Sequence, residues 1–433
     1  MSTLNQNKQA YIAVINQAIQ SIDHGKTLRK DRFKAMDDMA YTWELLMQTL
    51  RWYPRYEWVL TQLLHKPIKE KYRPLQMLLV VAFVRLDCLS EANHHVVNHT
   101  VELAKGLGYG WASAMVNQVL RAFLRQQDSL HQSFETNDVL RFAQPQWVIS
   151  SFKKRWPTHF EAILASLHQK PRHWVNCYRE IDKQTLKRAL KDHIETVALG
   201  GEDFTCLSGL NVKSLLEQTQ GSALYIQDLG AQMLSFFLRN LTGVGSALDA
   251  CAAPGGKSFI LLKHFPAVKL TCADIGEERQ AKLIENLTSI HHDHPICFWL
   301  KDALMPLPKC YQLAYDLVLL DAPCSGSGVM KRHPEKKYQP WRLGPLVETQ
   351  KKLLCELWQG VSPGGYLVYS TCSILPEENE KVIGAFLDDH ADDAEPVEVE
   401  LPIGFKRKFG WQILPSELSD GHYFVLIKKL SVI

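Results

Sequence analysis

Ser246-Ala247-Leu248-Asp249-Ala250-Cys251-Ala252-Ala253-Pro254-Gly255-Gly256-Lys257 is the stretch that decides the fold. A short apolar run breaks into a proline-glycine turn and Ser258 to Phe265 then reads as a helix, giving strand, turn and helix in succession. The same alternation continues downstream. Lys269 to Asp274 reads as a second strand ending in an acid, and Glu277 to Ile290 has helical spacing with Ala281, Ile284, Leu287 and Thr288 on one side. Asp302 follows a third apolar run, Ile296 to Leu300. Tyr315 to Leu320 is almost wholly apolar, as a strand covered on both faces should be, and leads into Asp321 and Cys324. A fifth run, Gly365 to Tyr369, leads into Cys372. Strands alternating with helices predict a parallel, doubly wound sheet with right-handed crossovers. Ligands bind such sheets beyond the carboxyl ends of the strands, which is where these polar residues fall.

The glycine turn has neither the G-x-G-x-x-G spacing of a dinucleotide site nor the full phosphate-loop pattern, so it is a poor diphosphate cradle. Gly255 and Gly256 instead allow close approach to a helix N-terminus, whose free N–H groups suit a carboxylate. Asp274 stands where ribose hydroxyls are usually read. A carboxylate, a ribose and no phosphate describe S-adenosylmethionine.

Cys324 and Cys372 close two strands, and paired thiols suit a demanding reaction. Carbon 5 of cytosine is not nucleophilic in the resting ring. A thiolate adding to carbon 6 makes carbon 5 enamine-like, able to take an electrophilic methyl group. Removing the carbon 5 proton and expelling that thiolate then requires a second group nearby. Either cysteine alone reads equally well as a small buried hydrophobe. Read from the residues, either one fits the role of attacker.

Asp249 to Lys257, Asp321-Ala322-Pro323-Cys324-Ser325-Gly326-Ser327-Gly328, Arg332-His333-Pro334 and Thr371-Cys372-Ser373 resemble the signature of the Sun family of RNA cytosine-C5 methyltransferases. The resemblance implies cofactor contacts from Cys251, Ala252, Ala253, Pro254, Gly255, Gly256 and Lys257, from Asp274 to the ribose, from Asp302 on the adenine side and from Asp321 near the methionine end. It assigns Cys372 as nucleophile and Cys324 to product release, with Asp321 also bonding the cytosine ring.

Toward the N-terminus, residues up to about Leu140 read as all-helical, with Leu78, Leu79, Ala82, Phe83 and Leu86 on one buried helix and Val97, Val101, Leu103 and Ala104 on the next. Val97 to Lys105 and Val116 to Arg121 are similar to the NusB-like RNA-binding domain that opens the members of this family acting on small-subunit ribosomal RNA. Gln144-Pro145-Gln146-Trp147 resembles their linker into a small middle domain, where Trp174 to Tyr178 reads as a strand and Lys183 to His193 as a helix. Ile226 to Gln232 is similar to their approach to the catalytic part. The expected plan is therefore multidomain: an all-α NusB-like bundle over 1–140, a small α/β domain over 141–235 that positions RNA, and a Rossmann-like α/β methyltransferase over 236–433. Besides minor changes at His99 and at Leu229-Gly230, two departures from the family pattern bear on details. Trp174 stands where an arginine is usual before Val175-Asn176, so one RNA contact is expected to be missing or relocated. Glu335 to Pro340 replaces the usual continuation after Arg332-His333-Pro334 and alters the target loop.

Residues 1–240 carry 29 Lys+Arg against 22 Asp+Glu, and residues 241–433 carry 20 against 24. The basic excess lies in the front part, as expected if that part grips phosphates while the rest reads one base. Lys331, Arg332 and Lys336, just after the Cys324 loop, are further candidates for phosphates beside a flipped base. With 433 residues, 46% hydrophobic and 22% charged, the chain can bury a large core in two or three domains. The longest apolar stretch, Leu75 to Phe83, is too short for a bilayer, and Met1 to Gln9 is too polar for a signal peptide. A cytoplasmic monomer without membrane contact is expected. The 10 cysteines show no paired C-x-x-C spacing. His291-His292-Asp293-His294 with Cys297 reads as a solvated loop, and no metal is expected. The expected substrate is unassembled or partly assembled small-subunit ribosomal RNA. Transfer RNA is the alternative substrate, and an inactive RNA-binding assembly factor is the alternative of another class.

Overall fold

The computed structural model describes residues 2–26, 28, 33, 38–89, 91–208, 223–288, 290, 295–309 and 312–431. They form two compact units, one built from Met1–His168 with Arg332–Pro340 and the other from Gln169–Lys331 with Trp341–Ile433.

The first unit is helical: α1 (Ser2–His24), α2 (Met39–Leu63), α3 (Arg73–Asp87), α4 (Asn93–Gly106) and α5 (Ser113–Phe134) are followed by shorter helices. From Met77 to Leu86 no residue of α3 is more than 6% exposed, because a helix apolar on every side is stable only at the centre of a bundle. Arg85 is tolerated there because Glu91 accepts from it twice, at 3.0 and 2.7 Å, and the Tyr11 ring lies 4.8 Å from its guanidinium. Pro54 sits inside α2 and has no N–H, so the carbonyl of Leu50, four residues earlier, loses its helical donor. Tyr338 Oη donates to that oxygen at 2.6 Å, and Lys337 Nζ donates to the carbonyls of Arg51 at 2.6 Å and Ala143 at 2.8 Å. The unusual segment Glu335 to Pro340 therefore repairs a proline break in this unit. Burial, with Arg51 and Arg55 close by, pushes the Lys337 amine well below its ordinary range.

The second unit holds two sheets. Strands β1 (His173–Cys177), β2 (Ile194–Leu199), β3 (Glu202–Leu207) and β4 (Leu224–Ile226) pair antiparallel in the order β2-β3-β1-β4. Trp174 is fully buried in this unit's core and its Nε1 donates to the Leu418 carbonyl at 2.8 Å. Its place in the sequence is thus held by packing.

The larger sheet contains β5 (Ser246–Asp249), β6 (Lys269–Asp274), β7 (Cys297–Leu300), β8 (Tyr315–Asp321) and β9 (Val361–Thr371), followed by β10 (Ala394–Val397), β11 (Phe405–Lys406), β12 (Trp411–Ile413) and β13 (His422–Lys429). Its order is β11-β12-β13-β9-β8-β5-β6-β7, with β10 on β13. The five predicted strands are mutually parallel, and the chain reverses direction of travel across the sheet between β5 and β8. This is the switch point at which such sheets bind ligands. The sheet as a whole is mixed, however. β13 pairs antiparallel with β9 from Tyr423↔Thr371 to Lys428↔Tyr366, which corrects the expectation of a wholly parallel sheet.

The helix Glu277–Leu287 also differs from its expected face. Leu283 and Leu287 are buried, whereas Ile284 is 36% exposed and Ala281 and Thr288 are exposed. The i, i+4 pair 283/287 packs toward the turn at Gly255, which rotates the apolar stripe away from 281 and 284. No described helix is long and apolar enough to cross a membrane.

Candidate active site

The turn after β5 is shaped by burial and by one glycine. Gly255 has φ +108°, a left-handed conformation, and a Cβ there would lie 3.1 Å from Leu283 Cδ1. The helix Gly256–His264 begins directly after it, so its first-turn N–H groups lack intrahelical acceptors. Asp249 is fully buried, accepts from Ser258 Oγ at 2.6 Å and is pushed up to about 7 by burial. Cys251 is held as a thiol, pushed up to about 12 by burial and by the carboxylates of Asp321, Asp249 and Asp274.

Asp274 closes β6 and accepts from the backbone N of Ala253 at 3.0 Å, from its neighbour Ile275 N at 2.9 Å and from Arg279 at 3.1 Å. Three of about four carboxylate lone pairs are engaged, leaving one for a hydroxyl. Asp302, beyond β7, accepts from Leu304 N at 2.9 Å and so closes its own turn. Asp321 ends β8, where one oxygen pairs with Lys257 Nζ at 2.7 Å and the other accepts from Ser370 Oγ at 3.0 Å. Burial alone would lower the Lys257 ammonium, but the Asp321 carboxylate overrides it and holds Lys257 above its usual range. The three strand ends β5, β8 and β9 are tied together through this pair.

Cys324 and Cys372 come together with their sulfurs 3.4 Å apart. The contact with Cys372 and then burial raise Cys324 well above the ordinary thiol range, so Cys324 keeps its proton, in a contact where either sulfur can be the donor. The loops carrying both residues are closely stitched. Gly328 N donates to the Cys372 carbonyl at 3.0 Å, Ile374 N donates to Ser327 Oγ at 2.9 Å, and Gly421 N donates to the Gly328 carbonyl at 2.8 Å. Glu378, Asn379, Gln350 and Gln412 are buried around them. Asn379 accepts from Thr371 Oγ1 at 2.7 Å and donates to the Ser373 carbonyl at 3.0 Å and to Gln412 at 2.9 Å.

These four residues were not singled out in the sequence. Glu378 and Asn379 lie just before the helix Glu380–Asp389, where acidic and amide residues are ordinary capping chemistry, so nothing set them apart. Lys331 is a correction. It is 2% exposed and donates to the carbonyls of Ser416 at 2.5 Å and Ser419 at 3.5 Å, so it fastens the loop and is not presented to a phosphate. The cluster His291 to His294 lies outside the described residues. Among the described residues no group of three or more His, Cys, Asp and Glu side chains is arranged to hold a metal ion.

Residues 240–428 match the family model for the 16S rRNA methyltransferase RsmB/F, and residues 2–125 match that for the NusB family. The probable ribosomal RNA small subunit methyltransferase B of Coxiella burnetii is 33% identical over 395 residues, spanning 89% of this chain and 91% of the relative. The ribosomal RNA small subunit methyltransferase B of Proteus mirabilis is 34% identical over 399 residues, 90% of each chain. The chain belongs to the ribosomal RNA small subunit methyltransferase B family. Membership makes it a ribosomal RNA methyltransferase with S-adenosylmethionine as methyl donor. The fold of this methyltransferase B family member is shared with the crystal structure of PH0851, at a TM-score of 0.73 and 20% identity over 96% of this chain and 98% of the other. A methyltransferase homologue from Pyrococcus horikoshii gives 0.55 at 22% identity over 67% of this chain and 97% of the other.

Proposed function

We propose that the chain methylates carbon 5 of a cytosine in 16S ribosomal RNA, the 967-type target, through a covalent bond from Cys372 to carbon 6. The observation carrying this reading is the 3.4 Å separation of the two sulfurs beside Asp321. S-adenosylmethionine supplies the electrophilic methyl group. The turn Cys251 to Lys257 fits its carboxylate, because the helix N–H groups are free donors at the positive end of the helix dipole and the Lys257 ammonium is close by, and the spare lone pair of Asp274 fits a ribose hydroxyl. Asp302 is assigned to the adenine side and Asp321 to the methionine end.

Cys372 adds to carbon 6 as thiolate, and Asp321 is assigned a hydrogen bond to the cytosine ring that holds it for the addition. Once carbon 5 is methylated, Cys324 gives its proton to the departing Cys372 sulfur and takes up the carbon 5 proton, and the electron pair of the broken carbon 5–hydrogen bond re-forms the ring double bond as the carbon 6–sulfur bond breaks. Cys324, which holds a proton 3.4 Å from that sulfur, assists the departure. Residues 1–140 bind RNA, 141–235 position it and 236–433 carry the chemistry. The basic excess of the front part supports this division.

Incubating the purified protein with labelled S-adenosylmethionine and unmodified small-subunit RNA, then mapping the product by mass spectrometry, tests the reading. One 5-methylcytosine is expected, abolished in Cys372→Ala, with a trapped protein–RNA adduct in Cys324→Ala. Wild-type methylation by Cys372→Ala would overturn it.

A further inference from the structure

The β8–β9 ladder holds its two strands in register only as far as Asp321↔Ser370. Cys324 and Cys372 lie beyond that point, in loops 48 residues apart in sequence, so their approach has to be set by side chains. One carboxylate reaches both loops. Glu378 is fully buried, and its Oε1 accepts from Ser325 N at 2.7 Å and from Gln350 Nε2 at 3.1 Å. Its Oε2 accepts from Ser325 Oγ and Ser373 Oγ, each at 2.5 Å. Ser325 follows Cys324 and Ser373 follows Cys372, so the residues next to both thiols are tied to one side chain.

The backbone of Glu378 is itself anchored. Tyr369 Oη donates to its carbonyl at 2.7 Å, and its N–H donates to the Leu375 carbonyl at 3.0 Å. Gln350 also donates to the Pro323 carbonyl at 2.9 Å, which fixes the start of the Cys324 loop to the same network. Four donors fill about four carboxylate lone pairs, and the two hydroxyl bonds have the short length of charge-assisted ones.

We propose that Glu378 is a positioning residue that sets the distance between the Cys324 and Cys372 thiols by holding the residue after each. It has no access to substrate and acts only through the two loops. The inference rests on the reading that both thiols serve one base. An amide in its place keeps the shape but replaces short O–H···O⁻ bonds by N–H···O bonds near 2.9 Å, so each tether lengthens by a few tenths of an ångström. A misplacement approaching 1 Å costs up to about 100-fold in rate.

The test compares wild type, Glu378→Gln and Ser373→Ala, the last removing a single tether in case the first fails to fold. Two readouts are followed: single-turnover methyl transfer, and capture of phenylarsine oxide, which needs two adjacent thiols and is referenced to Cys324→Ala. Glu378→Gln is expected to lower kcat by about 3- to 10-fold with KM for S-adenosylmethionine unchanged. It should also accumulate protein–RNA adduct and lose arsenical affinity. Ser373→Ala should show the same pattern, more weakly. A folded Glu378→Gln protein with wild-type kcat and arsenical capture would overturn the inference, as would a lowered melting temperature with neither readout changed. A wild type that makes no Cys372-dependent product would instead sink the functional reading, and arsenical capture would still judge Glu378.

Discussion

Replacing Gly328 by alanine tests how tightly the Cys372 loop must be held. A Cβ at this position would lie 2.7 Å from Gly421 C and 2.8 Å from the Cys372 carbonyl oxygen, where ordinary contacts begin near 3.4 Å. Both neighbours are backbone, and both are already bonded to Gly328, through Gly328 N to Cys372 O at 3.0 Å and Gly421 N to Gly328 O at 2.8 Å. No rotamer change relieves the contact, so the Cys372 carbonyl must retreat by about 0.6 Å on that count alone. Because rates fall by up to about 100-fold for a 1 Å misplacement, we expect kcat to drop by about 10- to 100-fold. The overpacking should also cost about 1–3 kcal/mol of stability. Single-turnover methyl transfer at saturating S-adenosylmethionine, measured well below the melting temperature, separates the two effects. A folded Gly328→Ala protein with kcat within twofold of wild type would show that the loop tolerates displacement and refute the reasoning.

Two further outcomes follow from buried polar groups. Burial lifts Asp249 to about 7, above the value near 4 of an unfolded chain, so the folded state is the one that holds on to the proton. Stability should therefore be fullest below about pH 4 and decline as pH rises through 7, with about 2–3 kcal/mol lost between pH 5 and pH 8 on this account. Denaturant titrations of Asp249→Asn should show that decline removed, and an unchanged pH profile would contradict the assignment. Placing at this position the arginine that the sequence resemblance leads one to expect, in Trp174→Arg, should destabilise the second unit by about 3–5 kcal/mol, since the site is fully buried and the indole's hydrogen-bond partner is the Leu418 carbonyl. Gain of RNA affinity without loss of stability in that variant would count against the packing role.

The parallel core was legible because Leu317 to Leu320 are all fully buried, and a strand covered on both faces must read as a continuous apolar run. The turn at Gly255 was legible because few residues other than glycine adopt its backbone conformation. β13 was not. Its eight residues are as apolar as a parallel strand, and nothing local shows that it returns antiparallel onto β9. Lys331 was misread as a phosphate contact and Glu378 was missed for one reason, which is that charged residues in loops read as exposed until their partners are known. Their partners, Ser416, Ser419, Ser325 and Ser373, lie 5 to 88 residues away. The two cysteines were found early because their chemistry is unusual in itself, whereas Glu378 differs from any other glutamate only by where it is buried.

The repair of the Pro54 break has a consequence for how the chain is made. A ribosome releases residues 1–168 first, yet the carbonyls of Leu50, Arg51 and Ala143 receive Tyr338 and Lys337 only about 170 residues later. At about 5–20 residues per second this is a wait of roughly ten to thirty seconds, during which β5, β6, β7 and β8 are synthesised. The front of the molecule is thus the first part to be translated and among the last to be finished, so a nascent chain halted before Lys337 carries a helical bundle whose Leu50 carbonyl still lacks its donor and whose Arg51 and Ala143 carbonyls are not yet reached by Lys337.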